Sequence, residues 1–299
     1  MSTLHLGLDL GGTNIKVAVI AQDDGELEVV STVSVDTEAA EGPEGVTGNL
    51  IEVGRAALHE HDIVTVGLGV PGLFDRDTGE VHLFPNLPGN WRGFPLRERV
   101  SEAFGMPVWM VNDARAFTLA EGVLGSGRGH NTVACVTLGT GVGGGLMIDG
   151  RLHLGAFGVA GELGHQTVLP DGPLCGCGNR GCVEALVRAD VLASNAGKPN
   201  ATAVFEGARE GDNRCLAAVS QMADFLGIGL ANVITLFGPS RIVVGGGIAE
   251  AGDLVLGPIE DAVKRRVTLV PTDEIEIVPA QFGRFAGAIG AAIAGVQRP

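Results

Sequence analysis

The chain is poor in positive charge. Its 299 residues include only three lysines, Lys16, Lys198 and Lys264, and Lys plus Arg number 20 against 35 Asp plus Glu, a formal net charge of -15. A chain so balanced repels polyanions, so nucleic acid is excluded as an expected partner. An anionic nucleotide can still bind, through local backbone donors and a metal ion. The first ten residues, MSTLHLGLDL, lack a basic n-region and include Asp9, so they do not read as a secretory signal. No apolar run reaches the roughly 20 residues that span a bilayer, and the most apolar late stretch, 285–296, is Ala/Gly-rich and too short. The five cysteines are an odd number, which argues against a complete disulfide framework and for a reducing cytoplasm. The pattern G-x-x-x-x-G-K-[ST] is absent, which excludes a P-loop enzyme.

Glycine, by contrast, is abundant, with 48 residues gathered largely in short clusters where a backbone turns sharply or approaches a ligand. Leu4, Leu6, Leu8 and Leu10 alternate as a strand, Gly11-Gly12 breaks it, and Ile15, Val17 and Val19 resume a second strand. A third strand over 27–35 follows the Asp24-Gly25 turn. A helix is predicted from Pro43 to Glu60, strands over 64–70 and 107–111, and a helix from Asp113 to Leu124. After the glycines of 125–129 the pattern restarts, with a strand over 132–138, a glycine cluster and a strand over 145–148. Helical patterns fill much of 184–236, a strand covers 241–244, and a last helix covers 285–296. Strand, glycine turn, strand is thus written twice, which predicts two α/β lobes with a cleft between them.

The first turn, Asp9-Leu-Gly11-Gly12-Thr13, ends a strand with a carboxylate beside two residues without side chains. Phosphate can sit against such a backbone while the carboxylate holds a metal through water; an ordinary tight hairpin is the alternative. The second, Gly139-Thr140-Gly141-Val-Gly-Gly144, formally matches G-x-G-x-x-G. That motif needs a helix directly after it, and a strand is predicted there, so the dinucleotide reading is rejected. Two threonine-bearing glycine turns instead suggest phosphates held from both halves. Gly245-Gly246-Gly247 offers a flat backbone for adenine or, alternatively, close helix–strand packing. Cys175, Cys177 and Cys182 lie within eight residues, ten downstream of His165. Three thiolates and an imidazole match a closed structural zinc site, one that would also fix Glu162 and Glu184 at its flanks. Asn112-Asp113 stands where a strand meets a helix, the place for a catalytic base in an open α/β sheet or, alternatively, for a helix cap.

These stretches, Asp9 to Thr13, Asn112-Asp113-Ala114, Leu138 to Gly141, Gly161-Glu-Leu-Gly-His165 and Cys175 to Glu184, resemble in order and spacing the ROK family of repressors, open reading frames and kinases. The likeness runs along essentially the whole chain and extends to the bacterial ATP-dependent glucokinases of that family. It implies an actin-like, ribonuclease-H-like ATPase fold with an interlobe cleft. Residues 1–114 plus 286–299 would form the smaller lobe and 115–285 the larger one with the zinc motif. It further implies transfer of phosphate from Mg·ATP to a hexose, with Asp113 as the base and Asn112, Glu162, His165 and Glu184 on sugar hydroxyls. Asp9, Gly11, Gly12, Thr13, Thr140 and Gly141 would face the phosphates and Mg²⁺, Gly245 and Gly246 the adenosine, and His165, Cys175, Cys177 and Cys182 a structural Zn²⁺. Glucose is the expected hexose, with N-acetylglucosamine, N-acetylmannosamine and fructose as alternatives and polyphosphate as an alternative donor. A sugar-sensing regulator is the rival of another class, disfavoured because Asp9 leaves no room for a preceding DNA-binding domain. A homodimer or homotetramer is implied. One departure stands out: many members follow the motif glutamate with a small, hydroxyl-bearing run ending in glycine, whereas this chain has Ala185-Leu-Val-Arg-Ala-Asp190, so a differently packed helix is expected there.

Overall fold

The computed structural model describes residues 2–298 and divides into two compact units, one running to Gly125 and resuming at Arg284, the other spanning Ser126–Gly283. The first unit is built on strands β1 (Thr3–Leu10), β2 (Asn14–Asp23) and β3 (Glu26–Asp36), helix α1 (Gly42–Glu60) and strand β4 (Ile63–Val70). A small hairpin of β5 (Leu73–Phe74) and β6 (Val81–Leu83) follows, then α2 (Leu96–Phe104), β7 (Val108–Asn112) and α3 (Asp113–Val123). The main sheet has the order β3-β2-β1-β4-β7, with β1 antiparallel to β2 and parallel to β4.

The leucine alternation in β1 predicts one buried face, and both are buried. Leu6, Leu8 and Leu10 pack with Val46 and Leu50 of α1 and Leu96 and Val100 of α2. The intervening His5, Gly7 and Asp9 are buried as well, because the C-terminal helix, Ala286–Gln297, lies against that face. It approaches so closely that a Cβ on Gly7 would stand 1.9 Å from the Ala288 carbonyl oxygen, and one on Gly67 of β4 1.7 Å from that of Ala291. The Ala/Gly composition of the last helix is thus a packing requirement, since any larger side chain would hold it off the sheet. On its other side this helix meets α3 through Gly290, whose absent Cβ would fall 1.7 Å from the Ala116 carbonyl oxygen. That contact is why α3, expected in the second lobe, falls in the first unit, with the division at Gly125.

The second unit repeats the plan. Its strands are β8 (Val133–Leu138), β9 (Val142–Ile148) and β10 (Arg151–Leu152), followed by helices α4 (Val183–Val187), α5 (Ala189–Ala196), α6 (Ala201–Arg209) and α7 (Asn213–Phe237). Strand β11 (Arg241–Gly245), helix α8 (Asp253–Lys264) and strand β12 (Glu276–Pro279) complete it. The order β10-β9-β8-β11-β12 matches the first sheet position for position, with β8 antiparallel to β9 and parallel to β11. From Val142 on, the glycine cluster after Leu138 proves to be strand, not loop. Val142 already pairs with Leu138, and Gly143, Gly144 and Gly145 continue the ladder. Their lack of side chains admits the loop that carries Leu163, since a Cβ on Gly144 would meet Leu163 Cγ at 2.7 Å. Helix α8 gave no sequence signal, and Pro258 inside it explains why. One correction concerns membranes: α7, at 25 residues, is by length and composition able to cross a bilayer. Here it is a core helix, with Met222, Leu226, Leu230 and Ile234 buried in the second unit's hydrophobic cluster.

Candidate functional site

In the first unit the glycine turn joins β1 to β2. It is closed by the Gly11 amide donating to the Asn14 carbonyl at 3.0 Å, and braced by Thr37, whose hydroxyl donates to the Gly11 carbonyl and whose amide donates to that of Thr13, both at 2.8 Å. Gly12 has no room for a side chain because the Asn86 carbonyl oxygen lies 2.7 Å from where its Cβ would be. Thr13 is exposed at the tip. Asp9 is 8% exposed, and Lys16 from the opposite strand reaches its Oδ2 at 3.2 Å. Burial pushes the Asp9 carboxyl above its ordinary value, and the Lys16 charge and hydrogen bond oppose the shift. Gly287, at the start of the C-terminal helix, leaves space for this carboxylate, since a Cβ there would sit 2.5 Å from Oδ2.

Asn112 and Asp113 occupy the same edge of the same sheet. Asp9 pairs with Gly69 and Gly69 with Val111, so Asp9 and the end of β7 lie two strand spacings apart, roughly 10 Å. Asn112 is the N-cap of α3, its Oδ1 accepting from the Ala114 amide at 3.1 Å while its Nδ2 donates to the Gly72 carbonyl at 3.1 Å. The capping alternative is therefore correct for Asn112. Asp113 opens the helix, is exposed, and accepts from the Ala114 amide at 2.8 Å through Oδ1. The sequence reading left Lys16 unassigned and passed over Thr37 and Asn86. The last sits in Pro85-Asn-Leu-Pro-Gly89, whose turn residues were its only signal.

In the second unit Gly139, Thr140 and Gly141 form the β8–β9 turn, with Thr140 exposed. Glu184, in the first turn of α4, closes this turn: its Oε2 accepts from the Val142 amide at 3.0 Å, and a Cβ on Gly141 would stand 2.8 Å from the same oxygen. Its Oε1 accepts from the Cys175 thiol at 3.5 Å. One carboxylate thus spans the phosphate-type turn and the cysteine loop. Gly246 lies beside the same turn, with φ of 85° and a would-be Cβ 2.3 Å from the Leu138 carbonyl oxygen, so backbone packing alone demands glycine there. Gly247 meets nothing within 4 Å, and both it and Gly246 are exposed, so this backbone is open to a ligand.

The cysteine loop brings together the four residues read from sequence. The ligand atoms of His165, Cys175, Cys177 and Cys182 lie within 4.8 Å of one another, with Cys175 Sγ 3.7 Å from His165 Nδ1 and Cys177 Sγ 3.8 Å from Cys182 Sγ. Tetrahedral zinc, with bonds of about 2.3 Å to sulfur and about 2.0 Å to nitrogen, requires ligand separations of roughly 3.3–3.8 Å. The residues fit the ion. Burial pushes the Cys175 thiol up to about 12 and that of Cys182 upward, while the Asn179 amide pulls Cys177 down. A cation among them favours the thiolates that burial disfavours. Glu162 Oε2 lies 4.0 Å from His165 Nε2, the nitrogen turned away from Cys175.

Two units of this topology, each with a glycine hairpin at the centre of its sheet, define the actin-like, ribonuclease-H-like ATPase fold. Solved structures match it over the full length: a ROK family glucokinase from Streptomyces griseus in complex with glucose and AMPPNP (35% identity, 99% of this chain and 100% of that one, TM-score 0.81), and a ROK hexokinase from Thermus thermophilus (36%, 100% and 99%, TM-score 0.84). Among curated sequences, a glucokinase from Streptomyces coelicolor is 38% identical over 312 aligned positions, 97% of this chain and 96% of that one. The ROK family profile matches residues 5–297. The chain belongs to the ROK family.

Proposed function

We propose that this chain transfers the γ-phosphoryl group of Mg·ATP to a hexose, with the 6-hydroxyl of glucose as acceptor. The observation that carries the reading is the edge of the first sheet, where the braced Gly11–Thr13 turn and its buried Asp9 share a row with the exposed carboxylate of Asp113. The identity to glucokinases supports the choice of sugar. Asp113 orients the acceptor hydroxyl and takes its proton. Because such transition states are loose, its positioning contributes more than its basicity. Asn112, Glu162, His165 and Glu184 bind the sugar hydroxyls. Backbone donors and hydroxyls at Gly11, Gly12, Thr13, Thr140 and Gly141 face the phosphates, Asp9 holds Mg²⁺ through water, and Gly245 and Gly246 border the adenosine. Zinc is structural: held by His165, Cys175, Cys177 and Cys182, it would stiffen the loop that aims Glu162 and Glu184. The chain works in the reducing cytoplasm as a dimer or tetramer.

Purified protein with Mg·ATP, assayed for ADP release, tests the reading against glucose, mannose, fructose, N-acetylglucosamine and N-acetylmannosamine. Preference for glucose is the expected result. Preference for an acetamido sugar keeps the chemistry and replaces the substrate, and silence with every sugar defeats the reading.

A further inference from the structure

The sheet order places the end of β4 between the Gly11–Thr13 turn, which follows β1, and Asn112-Asp113, where β7 meets α3. The chain leaves β4 through Pro71-Gly72, makes the β5–β6 hairpin and returns over this point. Two close approaches fix the return. A Cβ on Gly72 would stand 2.8 Å from Pro85 Cδ, and the Gly72 carbonyl is the one that accepts from Asn112 Nδ2. A Cβ on Gly12 would stand 2.7 Å from the Asn86 carbonyl oxygen and 3.4 Å from Asn86 Cβ. Pro85-Asn86 therefore runs from the side of the proposed base to the phosphate turn, and the root of the Asn86 side chain lies beside Gly12. Leu87 and Trp91 just after it are buried in the first unit's core, so the segment is anchored. The Asn86 side chain itself is exposed, and among the described residues it makes no hydrogen bond. Its amide keeps two N–H donors. The nearby cation, Lys16, is engaged by Asp9.

We propose that Asn86 is a further catalytic residue, whose carboxamide donates a hydrogen bond to the phosphoryl group during transfer. The inference rests on the reading of this sheet edge as the place where phosphate passes to a hexose. In that step the acceptor oxygen bonds to phosphorus while the bond from phosphorus to the β,γ-bridging oxygen breaks. ADP leaves with that electron pair, and Asp113 takes the hydroxyl proton. Charge is spread over the three equatorial oxygens of such a loose transition state. A fixed neutral donor beside one of them stabilises that state more than the bound substrates.

Asn86→Ala and Asn86→Asp, assayed with Mg·ATP and the sugar that the wild type prefers, test the proposal. Asn86 does not have a positive φ, so alanine fits its backbone, and both variants should melt within about 2 °C of the wild type. The alanine variant should lose about thirtyfold in kcat, the scale of one hydrogen bond to a charged group, with both KM values within about threefold. The aspartate variant should lose more, about three hundredfold, because it sets a carboxylate against the phosphoryl oxygens. A structural asparagine predicts the reverse order, since aspartate keeps the turn chemistry that alanine removes. Turnover in the aspartate variant equal to or above that of the alanine variant overturns the inference. So does a loss confined to either KM, which would mean that Asn86 holds a ground state. Either result, with a wild type that phosphorylates sugar, leaves the proposed function standing. A wild type that phosphorylates no sugar removes both.

Discussion

The two glycine turns occupy equivalent places in equivalent sheets and are held in different ways. In each, the central strand turns back antiparallel on one side and runs parallel to a later strand on the other. At the first turn the carboxylate belongs to the strand itself, as Asp9, and is met by Lys16 from the partner strand. At the second the position matching Asp9 is Thr137, and the carboxylate arrives from a helix 42 residues further on, as Glu184 bound to the Val142 amide. A backbone plan can therefore be repeated while its chemistry is reassigned. The first turn keeps a buried charge suited to a metal bound to phosphate, and the second is held by Glu184 from a helix whose N-cap is Cys182 of the cysteine–histidine cluster.

The comparison can be broken most forcefully at the edge of the first sheet. Asp113→Asn retains an oxygen to accept the Ala114 amide, so it should fold with an unchanged melting temperature and lose about a thousandfold in kcat. Near-normal turnover would remove Asp113 from its role. Next in size is the cysteine–histidine cluster. Cys177→Ser, or chelation followed by metal analysis, should lower the melting temperature by several degrees. Hydrogen exchange should speed up around Leu163–His165 and the Gly139–Gly141 turn while Gly11–Thr13 stays protected. Equal loosening of both turns would show that Glu184 does not couple the cluster to the second turn alone.

Gly141→Ala places a methyl 2.8 Å from Glu184 Oε2, and the carboxylate can move only by giving up the Val142 amide. A rise of about tenfold in the KM for ATP is expected, and the sugar KM should rise as well because Glu184 is also a proposed sugar ligand. The smallest predicted effect concerns Asp9. Its folded-state pKa lies above the ordinary carboxyl value of 3.8, so its charged form costs stability above the folded pKa, and that cost disappears as the pH falls through 3.8. Asp9→Asn should thus raise the melting temperature by about a degree or two at pH 7 and by less at pH 4. A fall in melting temperature at pH 7 would mean that Lys16 outweighs the burial.

Much of this was legible along the chain. The alternation of Leu4 to Leu10, the Asp24-Gly25 turn and the strand-to-helix junction at Asn112 all depend on neighbours in sequence, and each lies where expected. The convergence of His165, Cys175, Cys177 and Cys182 was equally readable, since three thiols within eight residues leave little freedom in how they meet. At 142–144 the sequence predicts a loop, because glycines signal one when considered locally, whereas here they line a strand against which another loop packs. The atypical run after Glu184 forms the end of α4 and the start of α5, with Ala185, Leu186 and Val187 buried.

Strand periods, turn chemistry and ligand spacing were determined by the sequence alone, because each is set by bonds and contacts a few residues long. The tertiary structure decided which face of β1 lies under an Ala/Gly helix from the far end of the chain, and that α3 belongs with it. It also decided that Lys16 guards Asp9, that Glu184 spans turn and cluster, and that Arg115 is buried behind Asn112. Those outcomes depend on close packing between segments up to the full chain length apart, where one absent Cβ or one buried charge selects the arrangement and no local pattern records it.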